Sequence, residues 1–156
     1  MRLEHESIGM SDLPTAKDIN PFGDLDGICA EEHFLGKTLE EAEVLFHTPE
    51  IYCEDLMWMG APAFRFYVFA AINCIKSDAD VDFSILLSSL ACTFEHLFEF
   101  SRADLKSIAR LLAAACRNVV DHYERFNVDF QWYGDLRPRY AELELRFLEL
   151  ANNPES

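Results

Sequence analysis

Glu54 and Asp55 stand side by side in the segment Tyr52-Cys53-Glu54-Asp55-Leu56-Met57-Trp58-Met59-Gly60, with Arg65 and Tyr67 a short distance downstream. Two carboxylates, a guanidinium and a phenol beside the broad apolar face of Trp58 are groups that could line a polar ligand site. The same residues have a plainer structural use. Arg65 interrupts an otherwise apolar run, and a cation there needs a carboxylate such as Glu54 or Asp55. Trp58 and Met59 would then plug the core. Adjacent carboxylates point in different directions on a helix, so Glu54 and Asp55 do not face one another as an acid–base pair.

A second segment of this kind is Phe130-Gln131-Trp132-Tyr133-Gly134. Aromatic side chains left in solvent are favoured anchors at protein interfaces, which makes Trp132 and Tyr133 binding candidates. Folded back over neighbouring helices, they would be ordinary packing.

Other chemistries fail on spacing. Gly36-Lys37-Thr38 resembles the end of a phosphate-binding loop, but the earlier glycine is missing, and Glu31 and Glu32 stand where they would repel phosphate. Thr38-Leu39-Glu40-Glu41 reads instead as a capping box opening a helix. Gly23-Asp24-Leu25-Asp26-Gly27 hints at a calcium loop, but counted from Asp24 the positions 5, 6 and 12 are Ile28, Cys29 and Leu35. Glu-x-x-His, the mark of di-metal bundles, does not occur, so Glu95, Glu99, His96 and His122 read as a solvated face. There is no Gly-x-Ser-x-Gly elbow, and each cysteine lies in an apolar helical run. No catalytic residue, metal or cofactor is assigned.

The elements that must carry these residues are helical. Residues 1–18 are polar without an apolar period and are expected to form a loose tail, followed by a turn-rich loop from Asn20 to Gly27. From Thr38 the periodicity predicts a helix to about His47 and a short one from Pro49 to about Met57. The run Ala63 to Lys76 is apolar on nearly every face, which places that helix inside the protein. A fourth helix is expected from Val81 to about Phe100, and Ser101-x-x-Asp104 suggests another capping box. Leu105, Ile108, Leu112, Ala115, Val119 and Tyr123 (or Phe126) then share one stripe, as do Leu136, Tyr140, Leu143, Phe147 and Leu150. Glu142 and Arg146 form an i,i+4 pair. The expectation is an all-α bundle of five or six helices with an irregular N-terminal segment, one domain over 19–156.

Composition narrows the function. Half of the 156 residues are apolar, ample for a core, and the longest apolar stretch, from Ala61 to Ile75, is shorter than a membrane span. Five cysteines without a C-x-x-C read as reduced thiols of a cytoplasmic protein. The net charge is −15, unevenly placed: residues 1–59 hold 14 acids against 3 bases, residues 60–156 hold 14 against 10. Such a front half repels nucleic acid and anionic membrane and would steer a basic partner.

The stretch from His33 to Ala71, including HFLGKTLEEAEVLF and YCEDLMWMGAPAFRFYVFAA, resembles an uncharacterised family of small bacterial proteins. The resemblance covers about a quarter of the chain. It implies a compact helical fold and supplies no catalytic residues. The leading expectation is therefore a non-enzymatic interaction protein, of the immunity or antitoxin type, whose acidic half meets a basic protein. The alternatives are a small-molecule- or metal-binding bundle, an enzyme included, with Glu54, Asp55, Arg65 and Tyr67 around a pocket, and a scaffold that self-associates.

Overall fold

The computed structural model describes residues 12–153, and among these residues the structure is helical with no strand. All-α is the fold class. The number of helices exceeds five or six: eleven α-helical segments are present, five of them single turns of four residues. The chain groups into two compact units, residues 1–82 and 83–156.

In the first unit, helices α1 (Ala16–Ile19), α2 (Leu25–Phe34), α3 (Leu39–Leu45), α4 (Pro49–Tyr52), α5 (Asp55–Trp58) and α6 (Ala61–Lys76) follow one another. Helix α1 corrects the expected tail over residues 12–18. Thr15 and Asp18 form a reciprocal capping box, and Leu13 and Ile19 are buried; residues 1–11 lie outside the described residues. The capping box at Thr38 and Glu41 is present, both hydrogen bonds included. Pro49 opens α4, but the expected helix to Met57 is broken into α4 and α5.

Helix α6 is the unit's spine. Eleven of its sixteen residues are buried, as its all-round apolar sequence predicts. Helices α1, α3 and α5 pack on it, and α2 packs on α1 and α5. The rings of Phe34, Phe46 and Tyr67 form a cluster with centroids 5.0–5.7 Å apart. Gly60 lets the chain pass close to α1. Its N–H donates to the Ile19 carbonyl, and a Cβ there would lie 2.3 Å from the Asp18 carbonyl oxygen.

The second unit holds α7 (Phe83–Phe100), α8 (Arg102–Leu105), α9 (Ala109–Asp121), α10 (Phe130–Tyr133) and α11 (Arg137–Asn152). The stripe expected over 105–126 is there, but 3-10 turns at Lys106–Ile108 and Tyr123–Phe126 interrupt the helix. Ser101 makes no side-chain cap, so that expected box does not form. Helices α9 and α11 run antiparallel, since Arg110 meets Asn152 while Arg117 meets Glu144. Leu136, Tyr140, Leu143, Phe147 and Leu150 are all buried as their spacing predicts. Phe147 meets Phe94 edge-to-face and Phe98 at a tilt. Tyr140 donates its hydroxyl proton to the Leu87 carbonyl at 2.5 Å. Helix α7 has the length and apolar character of a membrane span, yet Leu86, Leu90, Phe94 and Phe98 along it are buried in the protein.

Candidate interaction surface

Helix α2 is apolar on two opposite sides. Gly27, Ala30 and Phe34 face inward and are buried. Leu25 and Ile28, one turn apart, face outward with exposures of 76% and 42%, and Leu35 at the helix end continues their side at 47%. Phe22, in the turn leading into the helix, is 87% exposed. Surface leucines scattered singly are ordinary, whereas exposed apolar residues grouped on one side of a helix stand out.

Local sequence explains why this segment is helical. Asp24 caps it, its carboxylate accepting from the Gly27 amide at 2.8 Å. Asn20 holds the entry turn, accepting from the Gly23 amide and donating to Glu31. Between Asn20 and Gly36 the chain carries Asp24, Asp26, Glu31 and Glu32 and no lysine or arginine. Along this stretch the outward apolar residues thus alternate with carboxylates.

On the flank of α2, His33 meets Asp55. Nδ1 lies 2.6 Å from Oδ2, and the Tyr52 ring stands edge-on to the imidazole at 4.9 Å. Burial pushes the Asp55 carboxyl above its ordinary value, and the hydrogen bond and charge of His33 pull it back only in part. Such a pair orients a catalytic imidazole where a nucleophile stands on the other nitrogen. Among the described residues no hydroxyl or thiol bonds that nitrogen, and none of their His, Cys, Asp and Glu side chains group to hold a metal. The pair ties α2 to the α4–α5 segment.

The sequence candidates therefore divide. Asp55 is buried, but its partner is His33, whereas the pairing with Arg65 was the expected one; Arg65 itself is half-buried, and Glu54 is exposed. Tyr67 is fully buried, and its hydroxyl lies 2.9 and 2.8 Å from the carbonyls of Phe34 and Lys37, sharing its proton between them. Met59 plugs the core as expected, but Trp58 does not, being 38% exposed. In the second unit, Asp129 caps the short α10, which leaves Phe130 and Trp132 more than 70% exposed and Tyr133 half-buried. These aromatics do not fold back.

His33 was missed because its partner is 22 residues away in sequence; its position one turn after Cys29 was the only local cue. The outward stripe of α2 escapes the sequence reading because residues up to Gly27 read as a turn-rich loop and no clear helical period precedes Thr38. No protein-family model, curated protein or solved structure matches the chain.

Proposed function

We propose that the first unit is an acidic protein-recognition module, and that α2 presents the surface by which it holds a basic partner. One observation carries this: the exposed Phe22, Leu25, Ile28 and Leu35 lie in a stretch that holds four carboxylates and no lysine or arginine. Apolar anchors contribute affinity when they are desolvated. The surrounding charge speeds encounter and rejects acidic surfaces. The unit carries 17 acids against five bases, so its field acts well before contact. An inhibitor of the immunity type, which must capture a cationic protein quickly, has these properties.

The small-molecule reading around Glu54, Asp55, Arg65 and Tyr67 has less behind it. Asp55 is engaged by His33, and the Tyr67 hydroxyl by two backbone carbonyls.

The test is capture of partners by the unaltered protein and by the double variant Leu25→Asp, Ile28→Asp, followed by association kinetics with the partner found. A basic partner is expected whose association slows by about 10-fold or more between low and about 0.5 M salt, and which the double variant fails to hold. Salt-independent association, or equal binding by the double variant, would overturn the reading.

A further inference from the structure

The second unit holds a cavity of opposite character. Arg102 at the start of α8 and Arg146 on α11 line an open space of about 70 Å³ together with Phe98, Glu149, Leu150 and Asn153. Four other guanidiniums of this unit have acidic or amide partners, Arg117 with Asp121 and Glu144, Arg137 with Asp135 and Glu124, Arg139 with Glu95 and Arg110 with Asn152, and Arg125 lies over the Phe83 and Phe126 rings. Arg102 and Arg146 form no ion pair with any described residue, and the expected Glu142–Arg146 pair is absent.

The Arg146 guanidinium lies over the Phe98 ring, 4.3 Å from its centroid. A guanidinium held over a ring by its charge keeps N–H groups that can donate to another acceptor. Arg102 is exposed on the second helix of the cavity wall. Glu149 is exposed there as well and forms no ion pair with either arginine. Two guanidiniums and one carboxylate leave this lining with a single net positive charge, in a protein whose total is −15.

We propose that this cavity is a binding site for a small monoanionic carboxylate, its oxygens forked by Arg102 and Arg146. Guanidinium and carboxylate match in charge and in the spacing of two parallel hydrogen bonds. Phosphate shares the oxyanion chemistry, but its dianion brings one charge more than the lining neutralises and meets Glu149. A carboxylate bearing an amino or hydroxyl donor next to its head gives Glu149 something to accept from. The site is independent of the acidic surface on α2.

Arginine side-chain NMR signals of the whole protein, titrated at constant ionic strength with acetate, glycine and inorganic phosphate at pH 8, test the site. Saturable shifts are expected at Arg102 and Arg146 with acetate and glycine, with dissociation constants on the order of millimolar for so small a ligand. Phosphate should bind more weakly. Arg102→Gln, at an exposed position, should weaken acetate about tenfold or more, and Glu149→Gln should narrow the gap between phosphate and acetate. Unsaturating shifts of equal size at Arg117 and Arg137, or acetate binding unchanged in Arg102→Gln, would overturn the site. Phosphate binding more tightly than acetate in the unaltered protein would overturn its assignment to carboxylates.

Discussion

His33 Nδ1 lies 2.6 Å from Asp55 Oδ2, and this contact joins α2 to α5 across a buried carboxylate. Burial raises the Asp55 pKa, and His33 offsets part of the rise. His33→Ala should therefore leave a buried carboxylate with no imidazole, destabilising the protein by about 1–3 kcal/mol at pH 7. The pH dependence has a definite sign. A carboxyl whose folded pKa is raised binds its proton more readily folded than unfolded, so its contribution becomes more favourable as pH falls through the folded pKa. Without His33 that pKa rises further, so the deficit of the variant should shrink on acidification. Urea melts from pH 7 down to about pH 3 check this; a deficit that stays constant throughout would show that the pair is not the cause.

The fold was legible in sequence where one helix face alone is apolar or where every face is. The stripe from Leu136 to Leu150 and the all-round apolar α6 both appear as read. Helix α2 was not legible, for a geometric reason. Leu25 and Ile28 lie opposite Gly27, Ala30 and Phe34, so its two apolar sides cancel as a periodic signal and Gly27 reads as a turn residue. The candidate site suffered in the same way. Glu54, Asp55, Arg65 and Tyr67 are close in sequence, but the structure gives Asp55 and Tyr67 partners on or just after α2, and nothing local announces those.

Two glycines in the first unit should respond differently to alanine. At Gly60 the new Cβ would meet backbone, the Asp18 carbonyl oxygen at 2.3 Å, and the rigid Pro21 ring at 3.2 Å. Relief requires moving α1, so Gly60→Ala should cost about 1–3 kcal/mol or more. At Gly27 the close atoms are Asn20 Oδ1 at 2.2 Å and Cγ at 2.9 Å, the movable end of a side chain. Turning Asn20 away sacrifices its bonds to Gly23 and Glu31, while alanine inside a helix returns about 1 kcal/mol over glycine. Gly27→Ala should be near neutral. Thermal melts of the two variants decide it, and similar losses would refute the distinction.

Cysteine reactivity should single out one thiol. Cys92 is exposed, its sulfur 3.5 Å from the Arg139 guanidinium, and an accessible thiol meets a reagent first. Cys53, Cys74 and Cys116 are buried; burial pushes the Cys74 thiol up to about 12 and the Cys116 thiol up as well. A thiol reagent at neutral pH should modify Cys92 first, the half-buried Cys29 more slowly, and those three only on unfolding. Peptide mapping after brief labelling reads the order, and early labelling of Cys74 or Cys116 would contradict the burial described.

Tyr67 makes the last prediction, because its hydroxyl serves two carbonyls at once. Phe34 ends α2 and Lys37 lies in the turn before α3, so the phenol of α6 holds the connection between those helices. Tyr67→Phe keeps the ring against Phe34 and removes only the donor, which should cost about 1–2 kcal/mol. Burial, aided by the charge of Glu41, pushes the phenol up to about 12. A group whose folded pKa is raised contributes stability that is fully present below its unfolded value and is lost as pH rises through the folded one. For Tyr67 that window runs from about 10 to about 12. The unaltered protein should therefore lose stability across this range more steeply than Tyr67→Phe, and the two should converge at its upper end. Parallel denaturation curves of both proteins from pH 9 upward measure the difference, and a gap that stays constant to about pH 12 would mean the hydroxyl is not held as described.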